Sequence, residues 1–291
     1  DASTNSRPET EDAAHFLEIL AGRSPQVVVV DHYDIGHVWE SAVSEALKVP
    51  VVAIDGSADR AHAAEMVVDP TLSTDADRWK GLLSPESELL RGLEFTLVAP
   101  QFADALLQRP ERDGRIRRIL VSFGGSDPFD STVVAIEALG ASSLAGIPAD
   151  VVVGATHPNP NRIRQLCDAS PTLTFHHDTS NMAELSANAD LAIGAGGVSV
   201  FERAFVGLPA LVVIASENQR TQVESIAPTG AIVNLGEASG LSVERLAMQL
   251  NALRNDAQKV KSMGLASRLL MGHSLNPGST LVAKRILSRC R

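Results

Sequence analysis

Cysteine is nearly absent, with only Cys167 and Cys290 among 291 residues and no Cys-x-x-Cys spacing. That excludes a disulfide framework and a thiolate zinc site, and it fits the reducing cytosol, where the chain is expected to reside. Basic residues are in deficit, 25 Lys and Arg against 35 Asp and Glu for a net charge of −10. Such a balance opposes the counterion release that drives DNA or RNA binding, so no nucleic-acid partner is expected. No run approaches the roughly 18 to 20 apolar residues of a membrane span. A Gly-x-Ser-x-Gly elbow and a Walker lysine motif are both missing, which disfavours acyl-hydrolase and P-loop mechanisms. The opening Asp1-Ala2-Ser3-Thr4 has no basic or apolar signal region, and no internal repeat is evident. What the chain has is bulk: 44% hydrophobic and 21% charged residues are globular values. Its length favours two domains of roughly 100 to 200 residues.

Residues 5–12 are polar and lead into Ala13, Ala14, Phe16, Leu17, Ile19 and Leu20 at helical spacing, so a helix precedes the first strand. Gln26 to Val30 is a β-branched run, residues 37–48 are helix-like, and Val49 to Ile54 repeats the strand pattern. Continuous apolar strands of this kind belong to a parallel sheet covered on both faces. A further short strand is expected at Phe95 to Val98. Gln108 to Arg118 is polar, holds Pro110 and Gly114, and lacks apolar periodicity, which marks it as an interdomain linker. The rhythm then restarts, with strands expected at 119–123, 151–153, 173–175, 191–193, 211–214 and 231–233. Helices are expected from Ser131, near 160–169, and at 198–206, 242–254, 256–271 and 279–290. The architecture read from this is α/β, two Rossmann-like doubly wound domains spanning 1–112 and 113–291. The N-terminal domain is expected to be incomplete, since it shows three or four strands against about six.

Two glycine runs follow strands of the second half. Gly124, Gly125 and Ser126 come after the strand at 119–123, where paired glycines serve either a tight turn or the close approach of a ligand. Gly194-Ala195-Gly196-Gly197 opens the helix expected at 198–206, whose first amides and dipole favour an anion. Ser199 and Glu202 share one face of that helix, distinct from the packing stripe Val198, Phe201 and Phe205. A carboxylate at Glu202 suits two vicinal ribose hydroxyls, or it is a solvated helix residue. This run also imitates the dinucleotide fingerprint, with Glu217 near the acidic position, but it comes several strands into its domain rather than in the first turn, so NAD is not expected. Gly207-Leu208-Pro209 reads as a helix stop. Asn218 and Gln219 start the next helix, either as caps or as ligand contacts.

These strings together resemble one family, the nucleotide-sugar hydrolases of pseudaminic acid biosynthesis. Those enzymes release UDP from UDP-2,4-diacetamido-2,4,6-trideoxy-β-L-altropyranose, a step of flagellin glycosylation. The matching strings are Asp31-His32-Tyr33 with Trp39-Glu40, Asp59-Arg60-Ala61-His62, Ser122 to Pro128, Asp190 to Val198, Glu202-Arg203, Gly207-Leu208-Pro209 and Asn218-Gln219. The resemblance runs from about residue 10 to residue 235, and the glycine run is also similar to the wider glycosyltransferase-B (GT-B) superfamily. It implies a GT-B fold, with the first domain forming the sugar and catalytic side of a cleft. It further implies that Gly196, Gly197 and Ser199 lie near the diphosphate and that Glu202 holds the ribose, and Gly124, Gly125 and Ser126 are expected among the substrate-binding residues. Asn218 and Gln219 would face the sugar, and the loop 176–182, ending at Met182, would hold uracil. The family's Gly-x-Gly-His-x-x-Arg turn has no counterpart in this chain, and its Asp-Asp appears as Asp55-Gly56.

Hydrolysis at the anomeric carbon needs a base for water and stabilisation of the departing pyrophosphate. His32, at a strand's carboxyl end, is the first candidate base in this chain and His62 the second, while an Asp-His pair satisfied locally is the competing reading of His32. Adjacent His176 and His177 point apart and lack a completing carboxylate, so no metal is expected, and no cofactor. The expected function is UDP-sugar hydrolysis by a monomer. The alternatives are a GT-B glycosyltransferase and a catalytically inactive UDP-sugar-binding protein.

Overall fold

The computed structural model describes residues 7–73 and 75–290. The opening Asp1-Ala2-Ser3-Thr4 and the first two residues of the polar run lie outside the described residues. The chain forms two compact units, one reaching Leu97 and joined by the segment from Pro277 onward, the other spanning Val98–Asn276.

In the first unit, helix α1 (Glu9–Ile19) is followed by strand β1 (Val28–Val30), helix α2 (His37–Leu47) and strands β2 (Val51–Ile54), β3 (Met66–Asp69) and β4 (Glu88–Arg91). The four strands pair in parallel in the order β1-β2-β3-β4. Glu9 carries the local logic of the start: its Oε2 accepts from the amides of Gly36 (3.0 Å) and Trp39 (2.9 Å), so a carboxylate of α1 caps α2. Trp39 Nε1 donates to Asp12 Oδ1 at 2.8 Å, and its ring packs into a core with Val43, Val51, Ala53 and Val67.

The second unit begins with helix α3 (Gln101–Gln108) and continues with β5 (Ile119–Ser122), α4 (Ser131–Ala141), β6 (Ala149–Val153), α5 (Pro160–Asp168) and β7 (Leu173–His177). Then come α6 (Met182–Asn188), β8 (Leu191–Ala195), α7 (Ser199–Phe205), β9 (Ala210–Ile214), α8 (Arg220–Ile226), β10 (Ile232–Glu237), α9 (Val243–Arg254) and α10 (Ala257–Leu270). The chain's last helix, α11 (Gly278–Leu287), groups with the first unit. The six strands are parallel in the order β10-β9-β8-β5-β6-β7. β5, β6, β8 and β9 are buried along their whole length, as expected of a sheet with helices on both faces. Helix starts are chemically marked: Asn159, Ser242 and Asp256 each accept from the amide three residues on, and Pro160 occupies the first turn of α5.

Three expectations change. Phe95 to Val98 is not a strand, because Leu93–Phe95 is a 3-10 turn, whereas β3 and β4 carry no separate signal in the sequence reading. The division falls between Leu97 and Val98 rather than at 112/113. The polar stretch 108–118 is anchored: Arg112 donates to the carbonyls of Ser186 (2.8 Å), Ala187 (2.9 Å), Ala189 (2.8 Å) and Val206 (2.6 Å). These are the unsatisfied carboxyl ends of α6 and α7, so the arginine caps two helices of the second unit. The helix expected at 279–290 is α11; its Val282 packs with Val52, Met66, Val68 and Leu90, and Arg289 pairs with Glu65 (3.0 Å) and Glu88.

Candidate functional site

In the second sheet β5, β6 and β7 run outward in one direction and β8, β9 and β10 in the other, so the chain order reverses between β5 and β8. The crevice beyond the carboxyl ends at such a reversal is where open α/β sheets take ligands. Both glycine runs lie there. Ser122 and Gly194 are register partners on the two strands, and the turns 124–126 and 196–197 leave the sheet beside one another.

The glycines divide by role. A Cβ on Gly194 would stand 2.2 Å from the Ser122 carbonyl oxygen, and one on Gly196 would stand 2.1 Å from Val223 Cγ2, so packing alone requires both. A Cβ on Gly197 would sit in ordinary contact with Gln219 Nε2 at 3.6 Å, and one on Gly124, at φ +91°, would face open space. Gln222 Nε2 donates to the carbonyls of Gly196 (2.7 Å) and Gly197 (3.2 Å) and draws them inward. The amides of Gly197 and Val198 donate to no described residue.

Ser199 and Glu202 are half-buried in the first turn of α7. Burial raises the Glu202 pKa and neighbouring Arg203 partly offsets it; no described residue hydrogen-bonds or ion-pairs with this carboxylate. Arg203 is buried, donating to the Ala195 carbonyl (2.6 Å) and to Ser199 Oγ (3.2 Å).

At the other turn Ser126 is exposed, while Asp127 is buried and its two oxygens accept from the amides of Ser131 (2.9 Å) and Thr132 (2.8 Å). The start of α4 is therefore occupied by the protein's own carboxylate. Asn218 and Gln219 lie in a 3-10 turn, Glu217–Gln219, ahead of α8, and neither caps a helix. Gln219 Oε1 accepts from the Ala215 amide (3.0 Å), leaving its Nε2 toward Gly197. Met182 opens α6, half-buried, after the loop from β7. His176 Nε2 lies 2.9 Å from Asp150 Oδ1 in a cluster closed by Arg118, which donates to Asp150 at 2.6 and 2.9 Å. His177 is exposed. Among the described residues no three His, Cys, Asp or Glu side chains are grouped to hold a metal ion.

The remaining candidates stand in the first unit. His32 is exposed after β1, and its Nδ1 accepts from the Asp34 amide at 3.1 Å, so Asp34 rather than Asp31 is its local partner. His62 is buried with both ring nitrogens engaged, Nδ1 at 2.7 Å from Glu40 Oε1 and Nε2 at 3.0 Å from Asp55 Oδ2. Burial alone would lower its pKa, but the bonds to Asp55 and Glu40 outweigh that and raise it to about 9. Held as an imidazolium between two carboxylates, His62 has no lone pair for a substrate and is not a base. Arg60 joins the group, its Nη1 3.0 Å from Asp55 Oδ2. A Cβ on Gly56 would stand 2.3 Å from Thr71 Cγ2, so Thr71 fills the space a carboxylate would need there.

Several of these residues carried no sequence signal of their own: Gln222 is not singled out by the sequence, Asp127 stands there only inside the string Ser122 to Pro128, and Arg112 falls in the polar stretch marked as a linker.

The family model of the glycosyltransferase family 28 C-terminal domain matches residues 119–275, all within the second unit. The chain is 31% identical over 170 residues to the spore coat polysaccharide biosynthesis protein SpsG of Bacillus subtilis, covering 57% of this chain and 49% of that one. It is 25% identical over 217 residues to the uncharacterized protein MJ1062 of Methanocaldococcus jannaschii, covering 72% and 44%. The chain thus spans about half the length of the curated relatives it matches. Among solved structures, MurG of Acinetobacter baumannii superposes with a TM-score of 0.62 at 17% identity, over 96% of this chain and 77% of that one. A glycosyltransferase from Rickettsia africae gives 0.60 at 14% identity, over 98% and 83%. Likeness at such identities concerns the fold, which is GT-B: parallel sheets in two Rossmann-like domains.

Proposed function

The chain belongs to the glycosyltransferase family 28 C-terminal domain family, and on that premise we propose that its second unit holds UDP and that the enzyme cleaves a UDP-sugar in glycan biosynthesis. The observation that carries this reading is the meeting of two glycine turns at the reversal of strand order, with open space over Gly124, only the Gln219 side-chain amide over Gly197, and a carboxylate without an ion-pair partner among the described residues, Glu202, one helical turn away. Amides at Gly197 and Val198 that donate to no described residue, and the Ser199 hydroxyl, suit phosphate oxygens, and Glu202 suits the two ribose hydroxyls. Gly124, Gly125 and Ser126 line the diphosphate from the β5 side, and the loop ending at Met182 takes uracil.

In the reaction we assign, water attacks the anomeric carbon as the bond from that carbon to the β-phosphate oxygen breaks. UDP leaves with the electron pair, and a base takes the water's proton. His32 is the base we assign, acting through Nδ1 once it gives up the exposed contact to the Asp34 amide. Asn218 and Gln219 act on the sugar, for which UDP-2,4-diacetamido-2,4,6-trideoxy-β-L-altropyranose is the proposed donor. On this reading the enzyme is a cytosolic monomer needing no metal or organic cofactor. Among the described residues no helix is long and apolar enough to cross a membrane.

Membership in a glycosyltransferase family favours one second reading, in which an acceptor hydroxyl replaces water. UDP release measured with and without candidate acceptors decides between them. Release without any acceptor supports hydrolysis, release only with an acceptor supports transfer, and no release with intact UDP binding supports a binding protein.

A further inference from the structure

Arg203 is a buried cation with no ion-pair partner among the described residues, and neighbouring Glu202 acts on it only at longer range. Its side chain is 2% exposed, and no carboxylate among the described residues lies within ion-pair distance. Nη2 donates to the Ala195 carbonyl at 2.6 Å, Nη1 donates to Ser199 Oγ at 3.2 Å, and Nε is buried with no hydrogen-bond partner. A Cβ on Gly194 would stand 2.9 Å from Nη1, so the guanidinium fills the floor beneath the turn that leaves β8. Burial pushes its pKa down to about 10, against the pull of neighbouring Glu202, which leaves it charged at neutral pH. A buried charge without a partner is costly unless something else supplies the opposite sign. Ser199 adds a direction: its oxygen accepts from Arg203, and no described residue accepts its proton, so the hydroxyl is left to donate elsewhere.

We propose that Arg203 is a positioning residue for a diphosphate, supplying the counter-charge beneath the turn 194–199 and turning the Ser199 hydroxyl proton toward a phosphate oxygen. The inference rests on the UDP reading above and adds a residue that does not itself touch the nucleoside.

The test is calorimetry on the full chain with UDP, uridine and inorganic pyrophosphate, comparing wild type with R203M, R203K, S199A and R203M/S199A. R203M is expected to weaken UDP and pyrophosphate at least tenfold and to leave uridine within twofold. R203K, which keeps the charge but not the fork, should lose less. Adding S199A to R203M should cost less than S199A costs alone, because the hydroxyl has already lost its orienting partner. A folded R203M that binds UDP within twofold of wild type, or that loses uridine as much as UDP, overturns the proposal. If R203M does not fold, the same split read on R203K decides. Wild type binding pyrophosphate but neither UDP nor uridine defeats the nucleotide reading and leaves the pyrophosphate comparison to judge Arg203. Wild type binding none of the three overturns both.

Discussion

Glu40 Oε1 lies 2.7 Å from His62 Nδ1, and both side chains are buried. Glu40 Oε2 also accepts from the amides of Ala63 (2.6 Å) and Ala64 (3.0 Å), so one carboxylate fixes both the imidazolium and the loop ahead of β3. The His62 pKa is raised to about 9 in the folded state against about 6.5 for a free histidine. Its contribution to stability is therefore full below pH about 6.5 and is lost as pH rises through about 9. We expect the melting temperature of the wild type to fall over that window and the H62Q variant, less stable at pH 6, to show a flatter profile. Parallel profiles for the two proteins would remove His62 from the account.

Arg112 predicts where the second unit can be cut. Its burial lowers its pKa to about 9, and its guanidinium donates to four helix-end carbonyls that no other described residue hydrogen-bonds. R112M should destabilise the chain by roughly 3 kcal/mol, from buried carbonyls left unpaired. A fragment starting at Val98 should melt cooperatively, whereas one starting at Arg115 should not. Equal cooperativity of the two fragments would return the boundary to the linker.

Asn218 and Gln219 should matter for turnover more than for stability, because neither caps a helix. N218A is expected to leave the melting temperature within a few degrees and lower UDP release from the sugar nucleotide more than tenfold, with UDP affinity unchanged. Q219A should add a modest loss of stability, since it also holds the Ala215 amide. Unchanged turnover in both variants would take them out of the site.

The second unit was legible because its chemistry is local and repeats. Strands at Ile119, Leu191 and Leu211 are unbroken apolar runs, and glycines mark the turns that follow two of them. The first unit was less so: Met66–Asp69 and Glu88–Arg91 are only four residues each, and their pairing is visible only once β2 is in place. Buried charge was the larger omission. Arg112 and Arg203 are polar letters in the sequence, and only folding brings the helix-end carbonyls or Ser199 to them. His62 was misread for the same reason, since Glu40 and Asp55 are 22 and 7 residues away in the chain.

The measurement that bears most directly on the central claim compares Glu202→Ala with wild type for binding of UDP and of inorganic pyrophosphate. Two charge-assisted hydrogen bonds to the ribose are worth roughly 10-fold to 100-fold in affinity together. We predict a loss of that size for UDP with pyrophosphate binding unchanged, in contrast to removal of Arg203, which is expected to weaken both ligands. Equal weakening of both ligands, or no change in either, would contradict the assignment of this site to a uridine nucleotide.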